Sequence, residues 1–274
     1  MMIVADLHVH TTASDGLLAP EEVVRLAVEN KLQAVAVCDH DTTGGLEAAL
    51  NAGGQYGISV IPGIEFSTEY REKEIHILGY GFDYTYDKLQ ALCWKINAGR
   101  SLRMEKMVQK LRQLGYSITG DDVLRQARGA APNRPHVARV LVEKGYFPTV
   151  KAVFAALLEP GKPAYVRRYK LTPREAIAVL GEAGGFAVWA HPGLVGDDGL
   201  LALFLSWGLR GLEVYHPDHS HDAEEHYVRL ARKHNLLITG GSDYHGTEAG
   251  STRTLGTKGL QAGDFAAFAG ELQK

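Results

Sequence analysis

The stretch ADLHVHTTASDG, residues 5–16, places two histidines two positions apart at the end of an apolar run. A single histidine is ordinarily a surface residue or a hydrogen-bonded core residue. In a strand, residues i and i+2 share a face, so Asp6, His8 and His10 are expected on one side, with Leu7 and Val9 on the other. Packing imidazoles side by side costs desolvation and gains nothing unless a cation sits between them. Further candidates recur along the chain: Asp15; Asp39, His40 and Asp41 in CDHDT; Glu65 in PGIE; His76 in EIHILGY; His191 in AHPG; Glu213 and His216 in GLEVYHP; Asp243 and His245 in GSDYH. His8, His10, His40, His76, His191 and His245, with Asp15, Glu65 and Asp243, are more ligands than one ion needs. An ion with an open catalytic position takes about three protein ligands. The set therefore implies two or three divalent ions, and imidazole favours Mn, Zn or Fe over Mg or Ca. Ions of this kind lower the pKa of bound water, so a multinuclear metal site is the expected chemical device.

Seven short apolar runs can position these groups: residues 2–10, 33–38, 58–66, 74–80, 185–191, 211–215 and 236–241. They alternate with helical patterns, which predicts a parallel sheet and a βα barrel. In such a barrel the C-terminal strand ends converge on one mouth, where most of the candidates fall. Pro20, Glu21 and Glu22 mark one helix start. Thr172, Pro173 and Glu175 mark another, as cap, first helical residue and capping-box partner. The rhythm breaks between about 85 and 165, where the pattern is helical only. We read an inserted helical lobe at 97–162, with the barrel formed by 1–96 and 163–274.

The chain has 274 residues, 45% of them hydrophobic, and a net charge of −3. Residues 97–170 carry 15 Lys and Arg against 5 Asp and Glu, while the remainder carries 14 against 27. An acidic body suits cations and a basic insert suits an anion. Most of the insert's cations are expected on solvated helix faces. No run of 18 apolar residues suggests a membrane span, and the N-terminus lacks the basic region of a signal peptide. Cys38 and Cys93 stand far apart, which fits a reducing, cytoplasmic setting.

DLHVHTTASDG, CDHDT, PGIE, AHPG and GSDYH resemble, in order, the motifs of the PHP family, named for polymerase and histidinol phosphatase. The resemblance covers nearly all the chain outside the insert. It implies a distorted, seven-stranded, TIM-like α/β barrel with an all-helical insertion. It also implies a ligand scheme: His8, His10, Glu65 and Asp243 for one metal; Glu65, His76 and His191 for a second; Asp15, His40 and His245 for a third. RPHVARVLVEKGY in the insert resembles the stand-alone branch that removes the 3'-phosphate from nucleoside 3',5'-bisphosphates and is linked to 5'-to-3' trimming of RNA. A small phosphorylated nucleotide, and RNA 5' ends, are then the expected substrates. Arg134, at a helix start, is the candidate for gripping a second phosphate, with Arg167 and Arg168 as weaker ones. His216 is the candidate proton donor to the leaving oxygen, and His219, His221 and His226 read as solvated. Asp39, Asp41 or Glu213 could orient ligands from behind. Three rivals are a histidinol-phosphate phosphatase, a C–N hydrolase and a non-catalytic module binding nucleic acid or protein. The C–N hydrolase would need a lysine at a strand end, where this chain has none.

Overall fold

The structure is a computed structural model that describes residues 2–167, 171–247 and 253–274. Its elements in chain order are β1 (Ala5–Val9), α1 (Pro20–Glu29), β2 (Ala34–Val37), α2 (Leu46–Tyr56), β3 (Ser59–Tyr70), β4 (Lys73–Tyr80), α3 (Asp87–Gln113), α4 (Gly120–Ala127), α5 (Arg134–Glu143) and α6 (Val150–Val153). They continue with α7 (Pro173–Glu182), β5 (Phe186–Trp189), α8 (Pro192–Val195), α9 (Leu201–Ser206), β6 (Gly211–Tyr215), α10 (His221–Lys233), β7 (Leu237–Gly240) and α11 (Ala262–Leu272). The seven strands pair in chain order, and a bridge between Val9 and Tyr244 nearly closes the sheet into a barrel.

The sheet is mixed rather than all parallel. β4 runs antiparallel to both β3 and β5. The reason is the two-residue connection Arg71–Glu72, whose φ angles of 49° and 64° make the tight turn of a hairpin. Only antiparallel strands can be joined so closely. The turn lacks the usual Gly or Asn, so the sequence gives little sign of it. The reversal also explains how His76, near the start of β4 rather than its end, reaches the mouth.

A second difference lies in β1. Its register against β2 shifts between Asp6 and Val9. The shift breaks the simple alternation: Leu7 packs inside the barrel with Ala34, Ala36, Leu78 and Tyr80, while Val9 packs outward with Val23, Val24 and Ala27 of α1. His8 and His10 point into the mouth, and Asp6 does not join them. Asp6 instead accepts hydrogen bonds from Ser242 N–H (2.9 Å), Ser242 Oγ (2.6 Å) and Gly256 N–H (2.8 Å), tying β1 to the segment that follows β7.

Among the described residues three apolar cores hold the fold together. One lies between the strands and their surrounding helices. One fills the barrel, closed at its base by Phe268 of α11 against Tyr80 and Phe186. The third, built from residues such as Met107, Leu111, Val123, Val137 and Leu141, belongs to the helical lobe alone. α3 serves two of these cores. Leu89, Cys93 and Ile96 pack on the barrel side, and Met104, Met107, Val108 and Leu111 pack in the lobe. The α7 cap forms as the sequence suggests: Thr172 N–H donates to Glu175 (2.8 Å) and Glu175 N–H to Thr172 (3.3 Å). Among the described residues no helix is long and apolar enough to cross a membrane.

Candidate metal centre

Glu65, on β3, is the hub of the barrel mouth. Its two carboxylate oxygens lie 2.7 Å from His76 Nδ1, 3.1 Å from His40 Nδ1 and His191 Nε2, 3.2 Å from His8 Nε2 and 3.3 Å from His10 Nε2. Five imidazoles from four separate segments thus surround one carboxylate. Ligand atoms of His8, His10, Glu65 and Asp243 all lie within 4.8 Å of one another, and so do those of His10, Asp15, His40 and His245, and of His40, Glu65 and His76. All nine residues expected as ligands are therefore in one place. The groups overlap: His10 serves two, and His40 stands between Glu65 and Asp15.

Several atoms here are crowded by ionisable groups yet make no well-formed hydrogen bond. His10 Nδ1, Asp15 Oδ1, Glu65 Oε2, His76 Nε2 and His191 Nδ1 are buried without a hydrogen bond. Unmet buried polar atoms are costly. His8 Nε2 and His10 Nε2 face each other at 3.1 Å, and the Nδ1–H of His8 is already given to Glu213 at 2.8 Å. Convergent lone pairs of this kind fit divalent cations, and a mixed imidazole and carboxylate donor set fits Zn, Mn or Fe.

The electrostatics follow from this crowding. Burial alone would push the carboxyls of Glu65, Asp15 and Asp243 up, yet the surrounding imidazoles hold all three well below the ordinary range. Burial works to lower the imidazoles, but Asp243 and Glu65 more than offset it at His10, which rises to about 9. Glu65 does the same at His76, which rises to about 10. At His40 burial wins, and the ring falls to about 4.

The second layer is also visible. Glu213 is fully buried and accepts from two of the expected ligand residues at once, His8 Nδ1–H and the backbone N–H of His191, each at 2.8 Å. His191 carries φ 29°, a left-handed conformation that the Glu213 contact helps to hold. Asp39 accepts from Thr11 N–H, Thr11 Oγ1 and Ser14 Oγ at 2.6–2.8 Å, fixing the loop that carries Asp15.

The PHP domain family matches residues 6–96. The 5'-3' exoribonuclease Rnm of Salmonella typhimurium is 36% identical over 257 residues, 89% of this chain and 85% of that protein. The chain belongs to the PHP family. A 3',5'-nucleoside bisphosphate phosphatase of Chromobacterium violaceum is 35% identical over 262 residues, 91% of this chain and 92% of that protein. A crystal structure from Bifidobacterium adolescentis, described as a metal-dependent phosphoesterase, superimposes with a TM-score of 0.91 at 31% identity, covering 97% of this chain and 96% of that one.

In this PHP barrel the remaining expected residues fall as follows. Arg134, at the start of α5, borders the site, 3.3 Å from both oxygens of Glu74 and over the Phe154 ring. Arg167 is exposed and pairs with Glu69 (2.6 Å); Arg168 lies outside the described residues. His216 is fully buried, and its ring is engaged on both sides. Its Nδ1 accepts from Asp218 N–H (3.1 Å) and its Nε2 lies 3.4 Å from Asp243. That geometry fits a residue holding Asp243 better than a proton donor to a leaving group. His219 is not solvated: it is buried, gives Nδ1–H to Val214 O (2.7 Å) and accepts from Gly193 N–H (3.1 Å). His221 and His226 are exposed as expected.

Arg100 and Arg103 are corrections of a different kind. Both belong to the basic insert, yet each is only 6% exposed. Both line the cavity that also holds Asp15, His40 and His76. Arg100 forms a close ion pair with Asp41, and Arg103 Nε donates to Val166 O (2.6 Å). A signal for them exists in the sequence. Positions 96, 100, 103, 104, 107 and 111 form one apolar helical stripe, and these two arginines interrupt it.

Proposed function

We propose that this chain is a metal-dependent phosphoesterase that removes the 3'-phosphate of nucleoside 3',5'-bisphosphates and also acts at RNA 5' ends. The observation that carries the reading is the hub of five imidazoles on Glu65, set against three buried or half-buried arginines, Arg100, Arg103 and Arg134, in one cavity. Cation ligands beside guanidinium groups match the two needs of phosphate-ester hydrolysis.

Two or three divalent ions, Mn, Zn or Fe, when bound by the nine ligands, would supply activated water and neutralise the phosphoryl oxygens. The protein's own part follows from its contacts. Glu65 would hold neighbouring ions with its two oxygens. Glu213 keeps the Nε2 of His8 turned to the mouth and pins the His191 backbone. Asp39 fixes the Asp15 loop. Arg134 offers a planar fork to the phosphate that is not cleaved, after exchanging its contact with Glu74. His216 acts as a positioning residue behind Asp243. The two separated, buried thiols fit a reducing, cytoplasmic setting.

The test is product analysis after incubation with adenosine 3',5'-bisphosphate and manganese, beside His10→Ala. AMP and phosphate from wild type, with neither from the variant, supports the reading. An intact nucleotide from wild type refutes it, and histidinol phosphate is then the next substrate.

A further inference from the structure

We propose that the groove between the helical lobe and the barrel is the track for single-stranded RNA extending from a 5' end held at the metal centre. The proposal rests on the phosphoesterase reading above. The cavity at the ligands has a volume of about 100 Å³, the share of roughly three or four water molecules. Most of an RNA chain therefore lies outside it. The neighbouring groove measures about 850 Å³, the size of a full ligand site.

The two spaces adjoin along four segments of chain. Ala13 lines the groove and Asp15 the cavity; Thr42 lines the groove and His40 the cavity; Ser101 and Pro132 line the groove while their neighbours Arg100 and Asn133 line the cavity. α3 is a shared wall. Trp94, Asn97 and Ser101 face the groove, and Arg100 and Arg103 face the cavity, as helical periodicity requires.

The groove's chemistry suits unpaired nucleotides. Trp94 is 74% exposed and offers an aromatic face, with Leu124, 48% exposed, also lining the groove. Asn97 gives its Nδ2 to Asp41 O (3.3 Å), but its Oδ1 is buried without a partner. That oxygen is an acceptor suited to a ribose 2'-hydroxyl or a base amino group. Arg128 and Glu21 are both lining residues, so the grip comes from stacking and hydrogen bonds more than from net charge. Stacking of bases on aromatic side chains is a recurrent way for proteins to hold single strands without sequence preference.

The experiment compares manganese-loaded wild type, Trp94→Ala and Trp94→Phe on two substrates, adenosine 3',5'-bisphosphate and a 5'-phosphorylated single-stranded oligoribonucleotide. Trp94→Ala should raise KM for the RNA about tenfold or more, the loss of one base stack, and Trp94→Phe should restore most of it. Bisphosphate turnover should be unchanged, which also shows that the variant is folded. Addition of RNA should quench the fluorescence of Trp94 in wild type. Unchanged RNA kinetics in Trp94→Ala overturn the proposal. Equal losses on both substrates also overturn it, because the groove then holds the small nucleotide itself. If wild type hydrolyses the bisphosphate but neither cleaves nor binds RNA, the track is refuted while the phosphoesterase reading stands. If it hydrolyses neither, both fall together.

Discussion

Glu213→Gln isolates what one buried carboxylate does for the metal centre. Both partners of Glu213 are donors: the Nδ1–H of His8 and the backbone N–H of His191, each 2.8 Å away. Only a group with two acceptors satisfies both. Glutamine is nearly isosteric but turns an amide N–H₂ towards one of them, donor against donor. A buried donor left unmet costs about 1–3 kcal/mol. For a chain of this size each kcal/mol lowers Tm by about 2–4 °C, so the metal-free variant should melt a few degrees earlier. Release of His8 or of the His191 backbone should also weaken metal binding by about 10–100-fold, or about 1.4–2.8 kcal/mol. Calorimetric titration of manganese into chelator-stripped protein, with circular dichroism to verify folding, reads both effects. Wild-type metal affinity in a folded Glu213→Gln protein would refute the reasoning, because the carboxylate would then orient neither ligand.

Three further outcomes follow from the same geometry. Arg100→Ala should destabilise the protein by about 3–5 kcal/mol, since it removes the guanidinium from a buried ion pair with Asp41; chemical denaturation of Arg100→Ala beside Arg100→Ala/Asp41→Asn should show partial recovery in the double variant, and no recovery would mean that charge burial is not the cause. Metal binding near neutral pH should release about three protons, because, against burial, Glu213, Glu65 and Asp243 hold His8 well above the ordinary range, and His10 and His76 titrate at about 9 and about 10 when no ion is bound. These raised values also mean that the stripped protein holds stability below pH 6.5 that it loses as pH rises through 9 and 10, while metal affinity rises over that range. Calorimetry in buffers of different ionisation enthalpy counts the protons, and a count of zero contradicts the assignment. Gly241→Ala should cost about 1–3 kcal/mol and weaken metal binding, because a Cβ there would stand 2.4 Å from both His8 N and His8 Cβ; thermal melts with and without manganese measure both losses.

The sequence made the metal centre legible because ligand chemistry is carried by residue type. A histidine or carboxylate at the end of most apolar runs announces itself, and all nine expected ligands converge. What stayed hidden was set by backbone geometry or by neighbours far along the chain. The register shift in β1 comes from pairing with β2, and no local residue pattern separates Asp6 from His8. The reversal of β4 depends on Arg71 and Glu72 adopting positive φ, which neither residue type advertises. Arg100 and Arg103 were readable by position, on an apolar stripe, and were obscured by their charge. His219 sits among polar residues in a loop, and its burial follows from Val214 and Gly193 closing over it.

α3 has a consequence for how substrates are chosen. It spans 27 residues, about 40 Å of continuous helix. One end is embedded in the barrel's outer core and the other in the lobe's own core. The returning chain is fastened to it where Arg103 and Lys110 hold the carbonyls of Val166 and Tyr165 at 2.6 and 2.9 Å. A lobe mounted on a rod is a gauge, not a lid. With both ends packed and the returning chain fastened alongside, the lobe is expected to keep one distance from the barrel. Exchanging the lobe for one of another length would reset that distance without moving a single ligand.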